Sequence, residues 1–234
     1  AEDQRGYLWL GTYDGGISQF DGNTFVNYSE GQVFGGYYIW DIEPDPNDGS
    51  IWIASNKGLV NFNGSDFTAY NDSTVMLSSH TWSLLFDSSK KFWIGTPSGI
   101  QFFKNGKFQD FEYNHLLSNK RIYSLEEASD KSILIGTFEG LYKFKEGRMD
   151  SLKTFENDSI GVVYCIKEDS KKNIWFGTHY GIGKYDGKKV FKYEMEGITG
   201  QNIIQAIEED KYGNMWFATR GGGAFVYDGD SFNN

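Results

Sequence analysis

One period governs this chain. A string of apolar, Trp, apolar, small and hydroxyl residues opens each of six segments: "LWLGTYDGGISQFDG", "IWIASNKGLVNFNG", "FWIGTPSGIQFFKNG", "ILIGTFEGLYKFKEG", "IWFGTHYGIGKYDG" and "MWFATRGGGAFVYDG". The aromatic position falls at Trp9, Trp52, Trp93, Leu134, Trp175 and Trp216, at spacings of 43, 41, 41, 41 and 41 residues. So constant a period means one supersecondary unit that cannot bury its apolar face alone and stacks on its neighbours.

Each unit resolves into four short strands. In the fifth copy, "VVYCIKED" (162–169) leads through "SKKN" to "IWFGT", then a Gly turn, "IGKYD", an Asp-Gly pair and "VFKYE". Asn-Gly and Asp-Gly pairs favour type I′ hairpins, whose two central residues both need φ > 0. They stand at Asp21-Gly22, Asn63-Gly64, Asn105-Gly106, Asp186-Gly187 and Asp228-Gly229, with Glu146-Gly147 as the weaker copy. The second strand of each unit is nearly continuous in apolar residues, as expected of a strand covered on both faces. With 29 Gly, 18% aromatic residues and only 3 Pro, the expected class is all-β: a β-propeller of four-stranded antiparallel blades, six repeats of about 41 residues. The linear alternative, a β-solenoid, usually has shorter coils and no hairpin at every turn. The expected domain is single, 1–234, with blades over about 1–30, 37–72, 79–113, 120–155, 161–195 and 202–234.

The repeated V-x-x-I-x-E-D-x-x-G-x-I-W-x-G-T-x-x-G-(I/L)-x-x-(F/Y)-D-G pattern, fullest at 162–187 and 203–229, resembles the two-component regulator propeller repeat. The resemblance extends over essentially the whole chain. It implies the ectodomain of a bacterial hybrid two-component sensor, on the periplasmic or extracellular side of the membrane, responding to glycans. Leu134 for Trp, Ala54 and Ala218 for Gly, and the longer turn "DPNDG" depart from the pattern without touching a known active site. "AED" at 1–3 aligns with "EED" at 208–210, and "DSFNN" stops one residue short of its equivalent. Both ends therefore read as cut within a blade, the expectation for an excerpt of a larger propeller.

A net charge of −10, from 32 acidic and 22 basic residues, argues against a nucleic-acid backbone as partner and against adsorption to an anionic membrane. A lone cysteine, Cys165, rules out an internal disulfide and a Cys-based zinc site and reads as a small core residue. No run of 18 apolar residues spans a bilayer. His80, His115 and His179 lack metal-ligand spacing, so no metal and no cofactor is expected. Asp45 and Asp48 in "EPDPNDG" suit calcium, but turn chemistry accounts for them equally. The acidic runs Glu168-Asp169 and Glu208-Glu209-Asp210 read as solvated strand ends, and the repeated Thr as a structural bond across its turn.

Function belongs on the face carrying the Thr-x-x-Gly turns and the blade-to-blade connections, which differ from copy to copy. The candidate ligand-binding residues there are Tyr13, Asp14, Tyr37, Tyr38, His80, Arg121, His179, Tyr180 and Arg220. Aromatic rings beside hydroxyl and charged groups suit sugars. Trp40, Trp82, Tyr123 and Tyr164 share one register, with Gln205, and read as packing between blades, with a stacking ladder for a ligand in the channel as the alternative. The leading expectation is a non-catalytic sensory propeller that binds an oligosaccharide or other small ligand and works with flanking signalling domains. A protein-interaction or homodimerisation scaffold is the second reading, and a lyase or hydrolase at the channel mouth the third.

Overall fold

The structure, a computed structural model, describes residues 1–13, 15–28, 38–72, 74–117, 121–152, 154–155, 158–193 and 203–233. It divides into two compact units, Ala1–Ile122 and Tyr123–Asn234.

In the first unit the strands Leu8–Gly11, Ile17–Phe20 and Phe25–Tyr28 form one sheet, extended by a bridge from Glu2 to Leu8. A second sheet takes Ile39–Pro44, Ile51–Ser55, Gly58–Phe62 and Phe67–Tyr70, and a third Ser83–Phe86, Phe92–Thr96, Gly99–Lys104 and Lys107–Asp110. The second unit repeats the plan three times. Its sheets are Ile122–Glu127, Ile133–Thr137, Gly140–Lys145 and Arg148–Leu152; then Val163–Glu168, Ile174–Thr178, Gly181–Tyr185 and Val190–Tyr193; then Ile204–Glu209, Met215–Thr219, Ala224–Tyr227 and Phe232–Asn233. Each sheet is an antiparallel meander in chain order. These are six blades of a β-propeller, and among the described residues the one helix is the single turn Asn114–Leu117.

The Glu-Asp pair of the repeat proves structural. Asp169 closes its turn by accepting from the Lys171 and Asn173 amides at 2.9 and 2.8 Å, and its other oxygen accepts from the Trp175 indole Nε1 at 2.8 Å. The same lock joins Asp3 to Trp9, Asp87 to Trp93 and Asp210 to Trp216. Asp45 reaches Trp52 across a turn one residue longer. Leu134 offers no donor, and Asp130 instead pairs with Lys143 Nζ at 2.9 Å. The preceding Glu clasps the previous blade. Glu168 accepts from the Ser129 amide and hydroxyl, and Glu209 from those of Ser170. The solvated-edge expectation therefore fails, because these carboxylates take up N–H groups that the turns leave open.

The hairpins also differ from expectation. Only Asn105-Gly106 and Glu146-Gly147 have both residues at positive φ, with two-residue loops between Lys104 and Lys107 and between Lys145 and Arg148. At Asp21, Asn63, Asp186 and Asp228 the loop is four residues long, and the side-chain oxygen accepts the amides two and three residues on. A short polar side chain that can close the turn itself displaces the type I′ geometry.

The second strands of the second to fifth blades are buried throughout, whereas those of the first and sixth leave alternate residues exposed, contrary to the expectation of cover on both faces. Trp175 packs on Phe217 and Tyr227 at ring-centroid distances of 5.5 and 5.3 Å, and Trp52 on Phe92 and Phe103 at 5.0 and 5.1 Å. A Cβ at Gly177 would lie 2.5 Å from Cys165 Sγ and 2.7 Å from Ile204 Cβ, so this position admits no side chain. Ala54 occupies the corresponding place in the second blade, where Thr81 stands in the position held elsewhere by Ile or Val.

Candidate functional site

The first strands of the second, fifth and sixth blades each open with a β-bulge. Their registers slip between Ile39 and Asp41, between Val163 and Cys165, and between Ile204 and Ala206. The extra residue of each pair is Trp40, Tyr164 or Gln205. A bulge re-aims the side chain it carries, and here it turns these residues out of the core. Trp40 is 50% exposed, and Trp82, Tyr123 and Tyr164 are half-buried. At Trp40 and Gln205, both exposed, reading this register as interblade packing is corrected, because the bulge breaks the alternation that would have pointed them inward; Tyr123 and Tyr164 stay half-buried.

In the first unit these aromatics meet the Thr-Gly turn. Tyr13, on the Thr12–Gly16 turn, bridges to Tyr38, and the rings stack at 3.9 Å and 6°. Tyr38 meets Trp40 edge-on at 6.4 Å. Arg121 stands 5.9 Å above the Trp82 ring, a cation–π distance. His80 is exposed, with Nδ1 3.2 Å from the Ser79 hydroxyl, and joins none of these ring contacts. Asp14 and Tyr37 lie outside the described residues.

In the second unit Tyr123 and Tyr164 meet edge-on at 5.2 Å. Burial, reinforced by Tyr123, pushes the Tyr164 phenol up, against the opposing pull of the Arg220 charge. The Arg220 amide donates to Ile203 O, fixing that turn beside the sixth first strand. A separate cleft of about 510 Å³ opens where Phe138 and Glu139, Ser159, Gly161 and Val162, and His179 and Tyr180 converge. The His179 and Tyr180 rings meet edge-on at 5.6 Å.

The turns that present these residues share one closure. Thr137 Oγ1 donates to Gly140 O at 2.8 Å, and Thr178 Oγ1 to Gly181 O at 3.0 Å. Gly140 and Gly181 have φ of 125° and 116°, open only to glycine at low strain. Thr12 and Thr219 make the same bond one residue further on, to Gly16 and Gly223. The hydroxyls are thus committed to architecture, as expected.

Three groups, Cys165 buried and Asp41 and Glu126 partly so, titrate far from their ordinary ranges. Burial pushes Asp41 to about 6, although it accepts from the Leu84 and Ile42 amides. Burial also raises Glu126 to about 7; Lys167 opposes this, while Glu208, Glu168 and Glu127 add to it. Cys165 is driven up to about 12 and its thiol faces Ile204 O, which makes it an inert core residue. Among the described residues no three His, Cys, Asp or Glu side chains gather as a metal site, and no helix is long and apolar enough to cross a membrane.

The sequence-derived candidates therefore fall into an aromatic group in the first unit, a Tyr–Arg group in the second, and the cleft that holds His179 and Tyr180. Ser159 and Gly161 of the cleft wall were missed, because they belong to a connection with no counterpart in the repeat. The bulge residues had a legible signal: the buried pairs Ile204–Ile207 and Val163–Ile166 are three residues apart within a strand, where an unbroken strand spaces them by two.

The family model of the two component regulator propeller matches residues 158–180 and 197–221. Solved structures of similar fold include the extracellular domain of a hybrid two component system from B. thetaiotaomicron, 24% identical with a TM-score of 0.83 over 98% of this chain and 33% of that one. The extracellular domain of a one component system from the same organism is 19% identical, with a TM-score of 0.79 over 100% of this chain and 32% of the other. Virginiamycin B lyase from Staphylococcus aureus, crystallised in an inactive form with quinupristin, is 16% identical, with a TM-score of 0.79 over 100% of this chain and 81% of the lyase. The repeat chain thus spans about a third of the two ectodomains, and at these identities the likeness is one of fold. No curated protein matches it.

Proposed function

We propose that this chain is the non-catalytic, ligand-binding propeller of an extracytoplasmic bacterial sensor, that its ligand is a glycan, and that other domains of a longer protein transmit the response. The observation that carries the reading is the bulge. It spends strand pairing at Trp40 and Tyr164 to place aromatic faces beside Tyr13 and Tyr38 in one unit and Arg220 in the other. Exposed rings flanked by fixed polar groups match the alternating CH faces and hydroxyls of a sugar. The likeness in fold to extracellular domains of two signalling systems supports the address and the sensory role. Tyr13, Tyr38, Arg121, His179, Tyr180 and Arg220 are the proposed contacts, with Asp14, Tyr37 and His80 as further candidates.

The test is calorimetry against a panel of neutral and charged oligosaccharides. At least one should bind, and Trp40→Ala or Tyr164→Ala should weaken it at least tenfold. Absence of binding across the panel, together with mass that rises with protein concentration in sedimentation, would replace the reading with that of an association scaffold. Turnover of any panel member would overturn its non-catalytic part.

A further inference from the structure

The cleft of the second unit is built by repetition. Its two walls are equivalent turns one repeat apart, each closed by the threonine bond described above. In each, the same hydroxyl also accepts an amide: Glu139 N at 3.1 Å on one wall and Tyr180 N at 2.9 Å on the other. Both turns therefore hold their tips rigidly, and the tips carry Phe138 with Glu139 and His179 with Tyr180. Phe138 is 48% exposed and Tyr180 55%, large apolar surfaces held open to solvent at the mouth of a cavity.

The floor is shaped to match. The Gly161 amide donates to Ser159 Oγ at 3.2 Å, and Gly161 has φ of 68°. A Cβ there would approach the Tyr180 ring to 3.3 Å, so the glycine lets the ring lie close over the backbone. The site thus combines two aromatic surfaces, a carboxylate, an imidazole and a hydroxyl around about 510 Å³, within the roughly 300–1,000 Å³ usual for small-ligand sites.

We propose that this cleft is a subsite for one neutral pyranose unit of an oligosaccharide. This rests on the reading of the chain as a glycan-binding propeller and specifies where and what it binds. A pyranose has the required chemistry: a CH face to cover Tyr180 or Phe138, and hydroxyls that donate to Glu139 and exchange hydrogen bonds with His179 and Ser159. A carboxylated or sulfated sugar is disfavoured, since Glu139 lines the cleft and the whole chain carries a charge of −10.

The experiment titrates the intact chain with neutral tetrasaccharides built of glucose, galactose, mannose or xylose, and with an oligoglucuronate, by calorimetry and by NMR of the His179 ring. The expected result is binding of at least one neutral probe with a shift of the His179 signals. Tyr180→Ala and Glu139→Ala, both at exposed turn tips, should each weaken that probe at least tenfold. Glu139→Gln should improve relative affinity for the oligoglucuronate. A neutral probe that binds with unchanged affinity in both alanine variants and leaves His179 unshifted would overturn the subsite while the glycan reading stands. Preferential binding of the oligoglucuronate by the native chain would overturn the ligand class. Binding of no oligosaccharide would overturn subsite and reading together.

Discussion

Replacing Asp169 by alanine should cost the protein far more than replacing its counterpart Asp130. Asp169 is buried and accepts four hydrogen bonds, at 2.9 Å from Lys171 N, 2.8 Å from Asn173 N, 2.7 Å from Asn173 Nδ2 and 2.8 Å from Trp175 Nε1. The indole is only 1% exposed, so Asp169→Ala leaves its N–H without a partner in the core, a penalty of about 1–3 kcal/mol. Loss of the charge-assisted turn bonds adds about 1–2 kcal/mol, tempered by access of water to those amides. The expected total is about 3–4 kcal/mol. Asp130 accepts from the Ser132 amide and hydroxyl and from Lys143, but no indole depends on it, and 42% of its side chain is exposed. Its ion pair is worth about 1 kcal/mol at most, so Asp130→Ala should cost about half as much as Asp169→Ala. The assay is urea unfolding followed by far-UV circular dichroism, extended to a double-mutant cycle with Trp175→Phe, which keeps bulk and removes the donor. The cycle should return a coupling of about 1–3 kcal/mol. Burial alone would raise the Asp169 pKa, but its hydrogen bonds together hold it below the ordinary carboxylate range. Its contribution is therefore present above about pH 4 and lost as the pH falls further, so wild type and variant should converge in acid. Equal costs at Asp169 and Asp130, or a coupling near zero, would refute the proposed lock.

Two other perturbations follow from the same packing. Glu126 titrates near 7 in the fold against 4.5 in its absence; the fold binds its proton more tightly, so this contribution is most favourable at low pH and declines as the pH rises from about 4.5 to 7. Glu126→Gln should leave the Lys167–Glu208 pair at 2.9 Å in place and raise stability at pH 8 by at most about 3 kcal/mol, with little gain at pH 4; a gain independent of pH would refute the assignment. Gly177→Ala would push a methyl onto Cys165 and Ile204 and should destabilise by about 1–3 kcal/mol, whereas Gly187→Ala, whose Cβ meets nothing within 4 Å, should lose only the smaller strain of its positive φ; thermal unfolding of the pair reads the difference.

The period, the four strands per blade and the threonine closure were legible because each repeats, and repetition averages out local ambiguity. What escaped was whatever joins one copy to another. Glu168 and Glu209 look like hydrophilic strand ends in any single copy; their role is visible only when Ser129 and Ser170 of the preceding blade are seen beneath them. Trp40 was assigned to the core because bulky residues in strands usually pack, and the one-residue slip that exposes it leaves no mark on the composition. In the cleft, His179 and Tyr180 could be picked as loop residues, but the Ser159–Gly161 floor comes from a connection without a repeat pattern and needs the folded chain to bring it near.

The threonine closure has one more consequence. Its acceptor is the carbonyl of the returning glycine, reached after three residues in Thr178 and four in Thr12 and Thr219. The bond thus seals the base of the loop without reference to the identity or number of residues above it. Each blade behaves as a socket with a standard fitting, so one loop can be exchanged or lengthened while its neighbours keep theirs. A protein organised this way can drift from one ligand to another a few positions at a time, and a library randomised only between each threonine and its glycine would search recognition without searching foldability.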